Sequence, residues 1–439
     1  MSGRPNILFL MSDEHRFDVA GYAGNPVVRT PILDGLAKDG VVFANAYTPS
    51  PICIPARQCM MAGQLPRTCG CEKFGDDLPP SAMTFARQLA ASGYETAVSG
   101  KLHHMGTDQM QGWTMRISGD MQVAPGYLGK RAQASRRSMA DVKWTDAKEI
   151  ARAGVGRGQC VSHDEYAVQG ALQFIEDYYC NPYYDREQTH PLLLKVSLLQ
   201  PHYPYLTSEE KFTYYLNRVQ PYLNERVFDH PFLSQRQVRP GMDASERELR
   251  RATAAYYGMV ETIDSHYGQV LDALRHAGHN LDDWIIVYTS DHGEMLGQHG
   301  IWEKQKFFEA SVRVPLVIRY PKRFSGGRTV SENVNLCDLF ATLCELAGTD
   351  TPPGLDSRSL VPLMEGRTEG WRNESVSQFG GRNLMIKRDH LKYQYYGEDM
   401  PEVLFDLQRD PDETTNFLAD PAYAEDIRSF RDRRVDYGF

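Results

Sequence analysis

The sequence lacks the features that mark membrane and exported proteins. Its 439 residues contain no apolar run approaching the ~20 residues that a membrane-spanning helix needs. Residues 1–6 lead directly into the apolar segment 7–11, which is too short for a secretion signal with its own charged and cleavage regions. These absences predict a cytoplasmic protein that does not enter a membrane.

Basic charge is also scarce. Lys and Arg number 48 against 57 Asp and Glu, so the formal net charge is −9, and the chain has no dense basic tract. Affinity for a phosphate backbone needs clustered Lys and Arg. We therefore expect no nucleic-acid partner.

Cysteine is sparse, with eight residues in the whole chain. Without an export signal these residues are expected to be reduced thiols. The pairs Cys69/Cys71 and Cys337/Cys344 lack the paired C-x2-C spacing of a structural zinc site, so we interpret them as small core or surface residues. The Gly-x-x-x-x-Gly-Lys-[Ser/Thr] loop is absent too, and no Gly-x-Gly-x-x-Gly turn follows a strand, which disfavours a nucleotide or phosphoryl transferase.

What the sequence does contain is a regular alternation of apolar strands and amphipathic helices over the first ~360 residues. Strands are predicted at 7–11, 41–43, 95–98, 192–198 and 284–288, and helices at 30–40, 83–91 and 244–277. The predicted fold class is therefore α/β, with a large, mainly parallel sheet flanked by helices.

The C-terminal part has a different pattern. Short alternating segments at 385–396 and 403–407, followed by a helical segment at 422–434, predict a small antiparallel sheet with one helix. We expect a catalytic domain over residues 1–360 and a smaller α+β subdomain over 361–439.

Polar clusters follow four of the apolar strands. They are Ser12-Asp13, Lys101 with His103, His202, and Asp291-His292. Carboxyl ends of parallel strands share one rim of a sheet, so these clusters are expected to converge. Each alone is weak evidence, because Asp13 could cap a turn and His202 could be a surface histidine.

The segment Pro51–Arg57 carries the pattern Cys53-x-Pro55-x-Arg57, which is the sulfatase signature. Further blocks resemble the same family in the same order: Arg4–Leu8, Gly93–His103, Asp291–Lys304 running on to Pro315, Leu404–Leu407 and Asp410–Asn416. The chain therefore resembles the sulfatases of the alkaline phosphatase superfamily along most of its length. The resemblance implies an alkaline-phosphatase-like fold and a sulfuric ester hydrolase.

The resemblance also implies a set of residue roles. Cys53 is converted to formylglycine by a formylglycine-generating enzyme, and Arg57 positions the modified side chain. Lys101 and Lys304 neutralise sulfate oxygens, His103 acts as a base, and His202, together with Lys304, protonates the leaving oxygen. One divalent cation is held by Asp13, Cys53, Asp291 and His292.

Sulfate monoesters explain why such residues are needed. Their negative oxygens repel nucleophiles, and the leaving alkoxide is poor. A hydrated formylglycine offers one hydroxyl to attack sulfur and a second whose collapse to the aldehyde expels sulfate. An ordinary serine could not perform that last step.

The sequence departs from the family pattern in its ligands. Ser12 occupies the place of a first aspartate, His292 replaces an asparagine, and Ala62-Gly63 replaces Thr-Gly after the signature. Because they include one imidazole and fewer carboxylates than the family pattern has, these ligands weaken the case for calcium relative to manganese. Calcium remains the first expectation from the resemblance. The Asp-His pair resembles the choline-sulfatase-like and phosphonate monoester hydrolase branches.

Three questions stay open at this level. The main alternative is a phosphonate monoester hydrolase or phosphodiesterase with the same nucleophile, and another is a binding protein whose Cys53 is never oxidised. The expected substrate is a small-molecule or carbohydrate sulfate ester. Its pocket is expected to be shaped by loop-like insertions at 105–160, which contain Trp113, Tyr127 and Trp144, and at 203–237. Assembly into a homo-oligomer, for which 436–439 is a candidate tail, is also undecided.

Overall fold

The computed structural model describes residues 3–120, 146–180, 190–223 and 228–439. Within these ranges the strands form one large sheet, one four-stranded sheet and one short pair. The strands are β1 (Ile7–Asp13), β2 (Val41–Tyr47), β3 (Glu95–Gly100), β4 (Met115–Ser118), β5 (Gly154–Val155), β6 (Leu192–Pro201), β7 (Leu206–Thr207), β8 (Ile285–Ser290), β9 (Arg313–Val314), β10 (Leu316–Arg319), β11 (Arg328–Asn335), β12 (Glu374–Phe379), β13 (Asn383–Arg388), β14 (Leu391–Tyr395) and β15 (Val403–Asp406).

Helices connect these strands in the same described ranges. They are α1 (Pro31–Lys38), α2 (Cys53–Ala62), α3 (Pro66–Cys69), α4 (Phe85–Ala91), α5 (Asp146–Arg152), α6 (Gln159–Tyr179), α7 (Glu209–Leu216), α8 (Glu246–His276), α9 (Glu309–Val312), α10 (Leu339–Ala347), α11 (Val361–Met364) and α12 (Ala424–Asp436). The longest, α8, begins at a capping box in which the Ser245 hydroxyl and the Glu248 carboxylate satisfy each other's backbone amides.

The large sheet has the strand order β11-β2-β10-β8-β1-β6-β3-β4, with β9 paired to β2. The pairs β8–β1, β1–β6, β6–β3 and β3–β4 are parallel, and so is β11–β2. Strand β10 runs antiparallel to both of its neighbours, so β2 points in the same direction as β8. The carboxyl ends of β1, β2, β3, β6 and β8 therefore lie at one rim, where ligands gather in α/β sheets.

The alternation of side chains along β1 divides the core into two layers. Ile7, Phe9 and Met11 pack into the layer that contains α2, α4 and α10. Leu8 and Leu10 pack into the opposite layer, which contains α1, α6 and α8. Burial on both faces accounts for the continuous apolar composition of this strand.

The C-terminal region forms the antiparallel sheet β12-β13-β14-β15 with α12 packed against it. Ring stacking of Tyr393 on Phe430, with centroids 5.5 Å apart, joins the sheet to the helix. At the C-terminus, the Arg67 guanidinium lies over the Phe439 ring of the same chain. The tail residue thus has a partner within its own chain, and the homo-oligomer stays a prediction.

Both parts of the predicted fold class are confirmed: a large, mainly parallel sheet flanked by helices, and a small antiparallel sheet with a helix. The domain boundary at 360/361 stays a prediction. No helix in the described ranges is both long enough and apolar enough to cross a lipid bilayer.

The prediction of loop-like insertions was partly wrong. Segment 105–160 contributes β4 to the edge of the large sheet and also contains α5, and segment 203–237 contains α7. Trp113 is buried in the core with its ring edge on Phe85, so it does not line a substrate pocket. Burial of the large apolar ring of Trp113 in the core is more favourable than its exposure to solvent. Tyr127 and Trp144 lie outside the described residues.

Candidate active site

Two aspartates meet at the rim because their strands are neighbours. Asp13 ends β1 and Asp291 follows β8, and these strands pair in parallel with Ser12 opposite Ser290. Ligand atoms of Asp13, Cys53, Asp291 and His292 all lie within 4.8 Å of one another, and all four residues are buried. The structure therefore brings the four sequence-predicted metal ligands together.

Cations behind the cluster orient the carboxylates. Lys101 Nζ and Arg57 Nη2, the latter at 3.1 Å, donate to Asp13 Oδ2, and Arg57 Nε donates to Asp291 Oδ2 at 2.7 Å. Asp13 Oδ1 instead faces Cys53 Sγ at 3.6 Å. Burial alone would raise the pKa of Asp13, but Lys101 and Arg57 hold it well below its usual value. The carboxylate is thus ionised, with one oxygen directed at the centre.

The His292 ring is held in the tautomer that suits a metal ligand. Its Nδ1 donates to the Gly293 carbonyl oxygen at 3.0 Å, so the Nε2 lone pair points towards Cys53 Sγ, 3.1 Å away. Burial lowers the pKa of His292, which favours the neutral imidazole. Gly293 permits this path of the chain, because a Cβ atom there would lie 2.0 Å from the Ala310 carbonyl oxygen.

These donors fit one divalent cation. Two carboxylate oxygens and one imidazole nitrogen converge, and the side chain at position 53 provides the fourth ligand atom. Mixed oxygen and nitrogen donors suit calcium less well than manganese or another borderline metal. The donor chemistry therefore agrees with a metal site and leaves the identity of the metal open.

Helix α2 places its first residue, Cys53, at the centre of this cluster. Arg57 lies four residues later and hence on the same side of the helix. Pro55 is tolerated in the first turn, where its missing N–H would have no helical partner. Burial, reinforced by Asp13, raises the pKa of the Cys53 thiol to about 12. An unmodified cysteine would therefore stay protonated here, a weak nucleophile in the absence of a cation.

Strand β3 delivers Lys101 and His103 to the same rim. Gly100 has a φ of 96°, and a Cβ atom there would lie 2.0 Å from the Ser197 carbonyl oxygen. Neither ring nitrogen of His103 has a hydrogen-bond partner among the described residues, although the residue is buried. Burial and Lys101 lower its pKa well below the usual value. His103 is thus a neutral imidazole whose nitrogens are engaged by no described residue.

His202 and Lys304 form a hydrogen-bonded pair beside Asp13. Lys304 Nζ donates to His202 Nε2 at 2.9 Å, while His202 Nδ1 donates to the Tyr203 carbonyl oxygen at 2.6 Å. Burial and the Lys304 charge lower the pKa of His202 well below its usual value. The proton of this pair therefore resides on Lys304.

Glu14 is the main site residue that the sequence reasoning missed. Its Oε2 accepts from Lys304 Nζ at 2.6 Å. Burial raises the pKa of Glu14. Burial alone would lower the pKa of Lys304, but Glu14 together with other neighbouring acidic groups raises it well above its usual value, so Lys304 keeps its proton at neutral pH. Its position directly after Asp13 was the available signal, but the turn that brings Glu14 to Lys304 depends on a positive φ of 67° at Glu14.

Two further differences concern the strands themselves. Ser197 accepts from Arg57 Nη1 at 2.9 Å, and a polar side chain within an apolar strand could have indicated this role. Ser12 lies 3.1 Å from the Tyr288 hydroxyl, outside the ligand cluster. The serine that replaces a first aspartate thus does not join the four converging ligands.

Comparisons with known proteins agree with this architecture. Residues 5–349 match the sulfatase family, and residues 297–436 match the family described as N-sulphoglucosamine sulphohydrolase, C-terminal. A choline-sulfatase from Rhizobium meliloti (strain 1021) is 32% identical over 99% of this chain and 87% of its own length.

Solved structures show the same fold. The phosphonate monoester hydrolase of Agrobacterium radiobacter has a TM-score of 0.79 and 25% identity, covering 99% of this chain and 95% of its own. A protein solved with its substrate D-glucosamine-2-N,6-O-disulfate also has a TM-score of 0.79, with 20% identity, covering 99% of this chain and 97% of its own. The latter likeness concerns the fold alone.

Proposed function

This chain belongs to the sulfatase family of sulfuric ester hydrolases, and we propose that it hydrolyses a sulfate monoester through a formylglycine formed from Cys53. The observation that carries the proposal is the convergence of four ligand atoms within 4.8 Å, beside Arg57 and Lys101. A divalent cation bound there supplies Lewis-acid activation and charge neutralisation. The family resemblance makes calcium the first candidate, and the imidazole nitrogen among the donors makes manganese the second.

Each side of the site then has a separate task. Arg57 donates to both Asp13 and Asp291, and thereby keeps these carboxylates and the residue at position 53 in register. Lys101, on the Asp13 side, and Lys304, on the His202 side, neutralise sulfate oxygens as charge develops on them. His103, whose pKa is lowered, accepts the proton from the second hydroxyl of the hydrated formylglycine.

Protonation of the leaving oxygen is assigned to the pair formed by His202 and Lys304. Because Lys304 donates to His202 Nε2, the ammonium group is the member that carries the transferable proton. Glu14 supports this assignment, since its carboxylate raises the pKa of Lys304 and keeps the ammonium charged. The leaving alcohol therefore receives its proton from Lys304.

The names of similar proteins indicate the substrate class. The similar proteins include a choline-sulfatase and an ulvan-active sulfatase from Formosa agariphila. We propose a small-molecule or carbohydrate sulfate ester. The runner-up is a phosphonate monoester or phosphodiester, which the likeness to the phosphonate monoester hydrolase favours.

A single tryptic peptide tests the nucleophile. Cleavage after Lys38 and Arg57 releases residues 39–57, which contain Cys53 and no other cysteine. We expect the mass of this peptide to show an aldehyde oxygen in place of the thiol when the chain is produced with a formylglycine-generating enzyme. Turnover by a preparation whose peptide is wholly unmodified would contradict the proposal.

A substrate comparison separates the two activities. One preparation is assayed against an aryl sulfate and the matching aryl phosphonate monoester, and we expect the larger kcat/KM for the sulfate. Removal of metal by a chelator should abolish turnover and lower Tm, and calcium or manganese should restore both, because a cation that binds only the folded state stabilises it. A larger kcat/KM for the phosphonate would replace sulfatase by the runner-up.

A further inference from the structure

A pair of cysteines lies outside the active site, towards the C-terminal end of α2, the helix that begins at Cys53. Cys59 belongs to α2, and Cys69 is the last residue of α3. The chain folds back between them because Gly63, with a φ of 63°, caps the C-terminus of α2, and α3 begins at Pro66. This turn brings the two Sγ atoms to 3.5 Å.

The two thiols have different environments. Cys59 is fully buried in the apolar layer that α2 shares with the C-terminal sheet, whereas Cys69 is only partly buried. Hydrogen bonds from the Cys59 and Cys71 thiols lower the pKa of Cys69, while burial raises the pKa of Cys59. Cys69 is thus the more exposed and more readily ionised of the two thiols, and Cys59 is a sheltered thiol beside it.

We propose that Cys59 and Cys69 form a reversible disulfide when the protein meets a low-molecular-weight disulfide such as oxidised glutathione. The Cys69 thiolate attacks one sulfur of that disulfide and releases one thiol, which leaves a mixed disulfide on Cys69. The Cys59 sulfur, having lost its proton to solvent, attacks the Cys69 sulfur and releases the second thiol. Two protein thiols are oxidised and one small disulfide is reduced.

The geometry favours this product over its alternatives. The Sγ atoms must approach from 3.5 Å to about 2.05 Å, a change that side-chain rotation and a small shift of α3 can provide. Among the described residues, the groups of three or more ligands close enough to hold a metal do not include these thiols. A dithiol is therefore favoured over a thiolate metal site.

The reaction can be followed by peptide mapping of the full chain. Trypsin separates Cys59, in residues 58–67, from Cys69 and Cys71, in residues 68–73. The exposed Cys180 is first replaced, as Cys180→Ser, to remove a competing thiol. With oxidised glutathione we expect the loss of two thiols and a covalent link between the two peptides, both reversed by dithiothreitol.

Matched variants decide which sulfurs take part. In the same background, Cys69→Ser should lose no thiol to oxidised glutathione, whereas Cys71→Ser should still form the link between the two peptides. The chain that retains Cys59 and Cys69 already reports the peptide link, with no substitution at either sulfur. A folding defect in a variant would therefore not affect that measurement. A disulfide confined to residues 68–73, a persistent glutathione adduct on Cys69, or no thiol loss in excess oxidised glutathione would overturn the proposal.

Discussion

Two buried charge clusters in this chain use the same residue types to different ends. We call the first the site cluster, and it consists of Asp13, Arg57, Lys101, Asp291 and His292. We call the second the interface cluster, and it lies between the large sheet and the C-terminal sheet. Its members are Tyr47, Glu309, Arg313, Lys392 and Glu413.

The clusters differ in where their carboxylate oxygens point. In the interface cluster Lys392 contacts Glu309 Oε1 at 2.9 Å and also Glu413, and the Tyr47 hydroxyl donates to Glu309 Oε2 at 3.1 Å. Its charges are thus directed at one another. In the site cluster the cations hold one oxygen of each aspartate, and Asp13 Oδ1 is left facing Cys53.

This difference shows how a buried ion cluster can serve either folding or chemistry. Removing one partner from a closed cluster leaves an uncompensated buried charge and destabilises the fold strongly. A cluster whose donors converge on an external cation is completed only when that cation binds, so its loss should affect activity more than stability. Variants in the two clusters should therefore separate activity from stability.

The largest expected effect is at the centre of the site cluster. We expect Cys53→Ala to lower kcat/KM by roughly 10⁴-fold or more, because the proposed nucleophile is lost. Steady-state assays with an aryl sulfate measure the loss, and circular dichroism with Tm should show a folded protein. Activity within about tenfold of the wild type would exclude a formylglycine mechanism.

Lys101→Met should lower kcat/KM by about 10³-fold, because a cation that stabilises transition-state charge is removed. Asp13 keeps its ion pair with Arg57, so the free energy of unfolding should fall less than in the interface variant below. Kinetics and urea denaturation of the same preparation measure both quantities. If stability fell sharply while kcat/KM of the folded fraction stayed unchanged, the distinction between the clusters would fail.

Lys392→Met should have the reverse effect. Lys392 is fully buried, and its loss strands Glu309 and Glu413, so we expect the free energy of unfolding to fall by about 3–5 kcal/mol. The kcat/KM of the folded protein should be unchanged. As a control, Lys392→Met combined with Glu309→Gln and Glu413→Gln should recover much of the stability, because no buried carboxylate is then left without a cation.

Glu413 gives a smaller, pH-dependent effect. Burial and the nearby Glu309 raise its pKa to about 7 from an ordinary value of 4.5. The folded state therefore binds this proton more tightly than the unfolded chain, and stability should decline as pH rises from about 4.5 through 7. Denaturation across this range should show a shallower decline in Glu413→Gln, and equal slopes would place the titration elsewhere.

The smallest predicted effect is at the rim of the site cluster. Phe74 is 49% exposed, and its ring meets the edge of His103 with centroids 5.8 Å apart. We expect Phe74→Ala to raise KM for an aryl sulfate by about fivefold, an aromatic contact of roughly 1 kcal/mol, with little change for a small alkyl sulfate. Met242→Ala, at another exposed apolar residue, is the control and should leave both KM values unchanged.

Local sequence determined most of the fold and the composition of the site. Apolar runs and helical periodicity predicted the strands around Phe9 and Val287, because buried parallel strands need continuous apolar residues. The signature could be read from the sequence because Cys53 and Arg57 are only four residues apart and therefore lie on the same side of one helix. The convergence of the polar residues that follow these strands was predicted from the common direction of parallel strands.

Only the tertiary structure decided how these groups face one another. Glu14 joins Lys304 because a positive φ turns the chain after β1, and the proton of the His202–Lys304 pair is located by a carbonyl oxygen that a sequence pattern does not reveal. Similarly, 3.5 Å between Cys59 and Cys69 depends on the turn that joins two helices. Composition and periodicity act along the chain, whereas charge compensation and sulfur proximity depend on distances across it.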